Sequence, residues 1–346
     1  MMKVEKKVIS NLNKCYALAP LRYQGRDCFL VAAEKHDPCY VFSADGEQLE
    51  TVWEEPGGVM TMQQVPGSDG AFLATHKFYS PNDSKEAKIV IAEPRDGKWE
   101  IRTLCDAPFV HRFGILRRGG VNWLIVCCLK SGHEYKEDWR FPGATYAAVL
   151  PEDLSAFNSE NQLKLTLLKE GMLRNHGFSK YVDQGVETAL VGCESGVYQF
   201  IPPETPGGAW QIRQLISDPS SDAVLLDFDG DGKPELGSIS PFHGDTLNFY
   251  RLGPNGTYQL EYTYPEKLEF LHATWACEVL GKPTWVIGHR KGAMESMLVT
   301  WENGGYRFDA FDAGRGAANA LMLDNGVLVM TNRETDEVAM YTFREE

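Results

Sequence analysis

The residues best suited to chemistry in this chain are its eight histidines and the arginines and lysines beside them. Neutral imidazole ligates Zn2+, Mn2+ or Fe2+, and histidine titrates near neutrality, so histidines gathered in one place can hold a catalytic metal or move protons. His111 (FVHRFGIL), His176 (RNHGFSKY), His243 (SPFHGD) and His272 (FLHATWA) are the candidates for a divalent transition metal such as Zn2+ or Mn2+. No HxH or HExxH spacing joins them, so they act together only if the fold makes them converge. The segment IGHRKG puts His289, Arg290 and Lys291 side by side. There Arg290 could fork around a carboxylate or an enediolate oxygen while His289 shuttles a proton; the plainer reading is a basic turn. His76 (ATHKFY) and Arg112 complete the catalytic candidates. Lys77, Arg333, Tyr79, Tyr135 and Trp139 are candidates for holding a ligand, and His36 and His133 make up the eight histidines. Taken singly, each has a structural reading, because a histidine at a strand end is commonly a bonded turn residue and a charged loop residue is commonly just solvated.

A second kind of chemistry is concentrated in DFDGDGKPE, Asp227 to Glu235. Carboxylates stand at positions one, three, five and nine, glycines permit a tight curl, and Lys233 can offer a carbonyl. Such alternating oxygen donors suit Ca2+, which takes six to eight hard ligands in flexible geometry. No helical pattern flanks the loop, which excludes an EF-hand. A solvated Asp-Gly turn is the alternative.

The elements that must position these residues are strands. Apolar, β-branched and aromatic runs recur between clusters of Gly, Pro, Asn and Asp, and almost nothing keeps a 3.6-residue period. The runs group into seven units whose first segments start near Lys14, Gly58, Phe109, Asn175, Asp222, Leu271 and Ala317, spaced close to the roughly 40 to 50 residues of propeller repeats, with insertions in the longest. Two insertions, FYSPNDSK (78–85) and HEYKEDWRF (133–141), read as sugar-stacking platforms or mobile lids, or as mere decoration. The last unit ends at Glu346 without a fourth run, and residues 3–10 resemble the missing one (compare WEIRTL, LKLTLL, WQIRQL and YRFDAF). We therefore expect an all-β fold: one seven-bladed β-propeller domain over 1–346, of four-stranded antiparallel blades, closed by the N-terminal strand. A large β-sandwich is the competing architecture. In a blade, the start of strand one and the end of strand two share an edge, so all eight histidines fall on one face and the acidic loop on the other.

Here the sequence resembles the FG-GAP or VCBS repeat family, whose propeller blades carry a calcium loop between their first two strands. That resemblance rests on DFDGDGKPE alone, since the other six units lack the acidic loop; it implies Asp227, Asp229, Asp231 and Glu235 as ligands of a structural Ca2+. The repeat plan with a histidine-rich funnel looks like the propeller domain of aldos-2-ulose dehydratase and, more loosely, like propeller polysaccharide lyases. This likeness implies a carbohydrate lyase or dehydratase, or an isomerase, in which a metal stabilises an enolate oxygen and a histidine removes the neighbouring proton. The rival is a non-enzymatic ring that binds a glycan or protein on the same face, with calcium structural only. Net charge of −14 speaks against nucleic acid or an anionic membrane as partner and leaves a small molecule or oligosaccharide. No apolar stretch of about 18 residues occurs, the start lacks a signal-peptide core, and the eight cysteines form no CxxC pair, so we expect a cytoplasmic protein with buried, reduced thiols.

Overall fold

The computed structural model describes residues 2–345, which form seven four-stranded antiparallel sheets arranged as a β-propeller. β1 (Met2–Asn11) comes first in sequence and belongs to the last blade. Blade one is β2 (Cys15–Tyr23), β3 (Arg26–Ala33), β4 (Cys39–Ser43) and β5 (Gln48–Trp53); blade two is β6 (Met62–Gln64), β7 (Phe72–His76), β8 (Lys88–Arg95) and β9 (Lys98–Asp106). Blade three is β10 (Val110–Arg118), β11 (Val121–Lys130), β12 (Pro142–Val149) and β13 (Thr166–Met172); blade four is β14 (Gly177–Asp183), β15 (Val186–Cys193), β16 (Gly196–Ile201) and β17 (Gln211–Ile216). Blade five is β18 (Asp222–Leu226), β19 (Glu235–Ser240), β20 (Thr246–Leu252) and β21 (Tyr258–Thr263); blade six is β22 (Leu271–Val279), β23 (Lys282–His289), β24 (Ser296–Glu302) and β25 (Gly305–Asp312). Blade seven has β26 (Ala317–Met322), β27 (Leu328–Asn332) and β28 (Glu337–Glu345), and β1 supplies its fourth strand.

Burial follows strand position. Second strands such as β11 (VNWLIVCCLK), β15 and β19 are buried almost throughout, covered on both faces by neighbouring blades, whereas fourth strands such as β17 and β21 lie at the rim and are largely exposed. The apolar core is accordingly divided into packets between blades, as where Trp285 of blade six packs with Phe249 of blade five. All eight cysteines are free, seven of them buried and Cys277 half-buried.

Closure is by pairing of β1 with β28 in a register running from Met2 opposite Glu345 to Asn11 opposite Glu337, interrupted by a bulge between Val8 and Ser10. Lys6 ties the seam, reaching Glu337 at 2.9 Å and Asp312 at 3.0 Å. The first strand of blade two starts at Met62 rather than near Gly58. The chain at 57–59 is instead held against blade one and β7 by Gly58 N to Lys35 O (2.8 Å) and Phe78 N to Gly58 O (3.1 Å). A side chain there would collide with backbone: a Cβ on Gly57 would lie 1.5 Å from Lys35 O, and one on Gly58 2.4 Å from Phe78 N. The LKLTLL run likewise pairs only from Thr166 onward.

Candidate functional site

A repeated backbone device aims side chains at the ring axis. Six residues in the left-handed region, Lys14, Gly58, Phe109, Arg174, Phe270 and Gly316, each stand two positions before an inner residue: Tyr16, Met60, His111, His176, His272 and Ala318. In four blades the inner residue is also the unpaired residue of a β-bulge: Tyr16, His111, His272 and Ala318 fall where the pairing between strands one and two shifts. A bulge re-aims the residue it leaves unpaired, and here the re-aimed groups meet one another across blades far apart in sequence. The Tyr16 hydroxyl lies 2.9 Å from His272 Nε2, and His272 Nδ1 lies 2.7 Å from the Ala318 carbonyl.

All eight histidines sit at the same edge. His111 and His272 are the second residues of β10 and β22, His176 directly precedes β14, His76 and His289 end β7 and β23, and His36, His133 and His243 follow the ends of β3, β11 and β19. Four converge at the centre. His176 packs its ring on His111 (4.2 Å between centroids), on His243 (4.7 Å) and on His272 (5.4 Å), and its Nε2 lies 3.1 Å from His243 Nε2. Ligand nitrogens of His176, His243 and His272 all lie within 4.8 Å of one another, compared with roughly 3.3 Å for two nitrogens at ~2.0–2.1 Å on a tetrahedral metal. His111 is outside that trio and serves as the surface on which His176 stacks.

The partners of these rings fix their tautomers. Carbonyls only accept, so His272 Nδ1 donates to Ala318 O and His111 Nδ1 donates to His176 O (3.2 Å). His176 Nδ1 donates to the Asp222 carboxylate at 2.9 Å, and Ser221 Oγ also donates to that carboxylate, at 2.8 Å. In His111 and His272 the Nδ1 bond thus leaves an Nε2 lone pair turned the other way, as a metal-ligating histidine requires, and in His176 it turns Nε2 toward His243. Burial first, and then neighbouring histidines and arginines, hold His111, His243 and His272 well below the usual histidine range. Burial pushes the Asp222 carboxyl up, but His176, Arg112 and the Ser221 hydrogen bond more than offset this and leave it below its ordinary value. Burial drives the Tyr16 phenol up to about 12 despite the Arg112 charge.

His243 is clamped between Phe242 (4.0 Å) and Phe270 (4.4 Å), and Trp139 meets the edge of Phe242 at 5.4 Å. Trp139 is held by Lys130 Nζ (4.4 Å) and the Arg174 guanidinium (5.3 Å) over its ring, which places it at the margin of the histidine group. Tyr135, from the same insertion, is 58% exposed with the Arg140 guanidinium over its ring, while Tyr79 stacks on exposed His36 at 4.3 Å. Both insertions are held in place by hydrogen bonds. Asp138, fully buried, binds the Glu134 amide (2.9 Å) and Arg140 Nε (2.8 Å), and buried Lys130 reaches across to Asn82 at 2.9 Å.

The IGHRKG cluster differs from its expected role. His289 Nδ1 donates to Lys291 O (2.8 Å) and its Nε2 accepts the Glu295 amide (3.0 Å), so both ring nitrogens brace their own hairpin. Arg290 is spent on Glu334 at 2.6 Å, and Lys291 is exposed with its ammonium over Phe270. Arg333 pairs with Glu334 (3.0 Å) and with Glu34, and Lys77 pairs with Glu86 (3.3 Å) away from the centre. His76 is buried edge-on to Trp53 (4.5 Å), apart from the other histidines. Arg112 does lie at the centre, reaching Met60 O, Asn319 Oδ1 (3.4 Å) and the face of Tyr16 (5.7 Å). Tyr16, Asp222 and Asn319 were not singled out from the sequence. Their signal was the repeat offset, because Tyr16 in NKCYAL stands in blade one where His111 and His272 stand in blades three and six.

The acidic loop joins β18 to β19, at the opposite end of β18 from Asp222, and so lies on the other face. Its backbone curls on its own carboxylates: Asp231 N to Asp229 (3.1 Å), Gly232 N to Asp227 (2.9 Å) and Lys233 N to Asp231 (2.8 Å). Asp227 Oδ1 is buried without a hydrogen-bond donor, buried Glu235 Oε1 faces only the Arg251 guanidinium, and Asp227, Asp229 and Glu235 have oxygens within 4.8 Å of one another, an arrangement that could hold a cation. Arg251 stands beside it, 2.9 Å from Asp229, 3.2 Å from Glu235, 3.6 Å from Asp231 and 2.8 Å from Glu261. One guanidinium among five carboxylates leaves the loop strongly negative. Burial above all, with Asp229 and Asp231 adding to it, drives Glu235 up to about 7 against the pull of its Phe228 amide bond and Arg251.

No family model and no curated protein matches the sequence. The fold is similar to solved propellers along its whole length. Virginiamycin B lyase from Staphylococcus aureus aligns with a TM-score of 0.62 at 14% identity over 99% of both chains. The WD40 β-propeller domain of Doa1 aligns with a TM-score of 0.60 at 11% identity, covering 99% of this chain and 97% of that one. A glucose dehydrogenase aligns with a TM-score of 0.56 at 12% identity, covering 98% and 99%. At such identities the likeness establishes the propeller fold.

Proposed function

We propose that this chain is a carbohydrate lyase or dehydratase whose histidine face holds a divalent transition metal, Zn2+ or Mn2+, on His176, His243 and His272. The observation that carries the reading is the set of Nδ1 bonds: Nδ1 of His176 and of His272 donates to Asp222 and to Ala318 O, which turns their Nε2 atoms the other way, to His243 Nε2 at 3.1 Å and to the Tyr16 hydroxyl at 2.9 Å, contacts that a bound metal would replace. A bound metal would supply a Lewis acid for an enolate or carboxylate oxygen. The chain's own groups do the rest. His111, outside the trio, keeps an Nε2 lone pair for the proton next to that oxygen; the Tyr16 hydroxyl, protonated at neutral pH, donates to His272 Nε2 at 2.9 Å and would be released to donate to the departing oxygen only where a metal took that nitrogen. Trp139 and Phe242 form an aromatic margin on which a sugar ring can stack.

The same reading makes Asp227, Asp229, Asp231 and Glu235 ligands of a structural Ca2+, in accord with the orphaned buried Oδ1 of Asp227. It takes a small molecule or oligosaccharide as partner and the cytoplasm as location. No helix of the structure is long and apolar enough to cross a membrane. A non-enzymatic binding ring is the second reading, favoured by the near-complete burial of His176 and His272. Metal analysis of purified protein together with turnover of a ketosugar and uronate panel separates the two. One transition-metal ion per chain, and turnover lost in His176→Ala and His272→Ala, supports the enzyme; calcium alone and no turnover supports the binding module.

A further inference from the structure

Five cations at the histidine edge have an anion to pair with. Arg174 is 3.1 Å from Glu194, Arg290 is 2.6 Å from Glu334, Arg333 is 3.0 Å from Glu334, Lys77 is 3.3 Å from Glu86 and Lys35 is 3.6 Å from Glu34. Arg112 has none. Among the described residues its guanidinium meets a backbone carbonyl, the Asn319 amide oxygen and the Tyr16 ring, all neutral. The carboxylate that lies among the histidines, Asp222, is already bonded to His176 and Ser221. Arg112 is half-buried, reaches from blade three to blade seven, and its charge acts on His111, His243, His272 and Tyr16 together. A partly desolvated guanidinium without a counter-charge is costly, and a ligand anion removes that cost.

We propose that Arg112 is the anion receptor of this site and that the natural ligand carries a carboxylate, seated on Arg112 beside the histidine trio. A guanidinium presents paired N–H donors that match the two oxygens of a carboxylate. One unpaired guanidinium matches one carboxylate; the neighbouring guanidiniums Arg290 and Arg333 are committed to Glu334 and Glu34, and Lys130 and Lys291, which lack a carboxylate partner, are turned to Asn82 and Trp139 and to Phe270. The inference rests on the reading of this face as a ligand site, but not on the metal. If a metal binds, the carboxylate also screens it from Arg112, so each tightens the binding of the other.

The test is calorimetric titration of wild-type protein, Arg112→Gln and Arg112→Lys with three probes, glucuronate, glucose and glucose 6-phosphate, each with chelator and with zinc. Expected is a preference of wild type for glucuronate over glucose of about tenfold or more, the size of one charge-assisted contact, lost in Arg112→Gln and partly kept in Arg112→Lys. Melting temperatures of the variants within a few degrees of wild type show that the loss is local; if Arg112→Gln does not fold, the Arg112→Lys result alone decides. Equal affinities for glucuronate and glucose, no binding of any probe, a preference for glucose 6-phosphate, or full retention in Arg112→Gln each overturn the proposal. A carboxylate preference that persists without any zinc binding upholds Arg112 while removing the metal.

Discussion

Replacing Asp222 by Asn keeps the shape of the side chain but removes the charge that orients His176. Losing such an orienting partner costs metal sites about 10- to 100-fold in affinity, and we expect Asp222→Asn to lower zinc affinity by that range in calorimetry with the fold intact. His76 offers a separate test at the same scale, because it holds no candidate ligand. Burial, and then Lys88 and Lys77, lower its pKa to about 3, so the folded protein keeps it neutral where the unfolded chain binds a proton. The unfolded state then holds more protons between about pH 6.5 and 3, and stability falls as pH falls through that window. Single-site linkage puts the loss at about 3 kcal/mol by pH 4, and His76→Phe should flatten that part of the denaturation profile. A profile of unchanged slope in the variant would show that His76 is charged in the fold.

At the scale of single elements, two turns have the most to lose. Gly58 sits at φ +74° with Phe78 N 2.4 Å and Lys77 N 2.7 Å from where a Cβ would be, and both atoms belong to backbone that cannot swing aside. Gly58→Ala should cost about 2 kcal/mol or more and lower the melting temperature by several degrees, measurable by calorimetry. The acidic loop between β18 and β19 makes the opposite kind of prediction, one that depends on an ion. Chelation should lower the melting temperature of wild type, calcium should restore it, and Asp229→Asn should abolish the difference. Elements also show what could be read in advance. Second strands such as β11 announced themselves because burial on both faces favours a long apolar run, and the DFDGDGKPE turn because its carboxylates lie within nine residues of one another. The bulges at Tyr16, His111 and His272 did not, since a bulge is a mismatch between two strands and neither strand alone records it. Of the two readings of IGHRKG, the basic turn is the one its bonds match: neighbours along a hairpin satisfy one another, as His289 does with Lys291 and Glu295, while the groups that meet at the axis are separated by tens to hundreds of residues.

The whole ring depends on a seam between its two ends. A variant lacking residues 1–11 would leave β28 with an unpaired edge and should elute as oligomers or aggregate in size-exclusion chromatography, and a peptide of residues 2–11 added in trans should return it to the wild-type elution volume. Closure is also what makes the histidine face possible, because Tyr16 of blade one can touch His272 of blade six only in a circle. That much followed from repeat spacing and the orphaned last unit, whereas the identity of the inner residues required the register. The left-handed residue placed two positions ahead of each inner side chain has a wider implication. It turns six of the seven blades into interchangeable sockets whose backbone is set before the side chain is chosen. Tyrosine, methionine, histidine and alanine already occupy them in this one chain. Chemistry at the centre can thus be rewritten one letter per blade, by substitution at Met60 or Ala318 for instance, while the scaffold that presents it stays as it is.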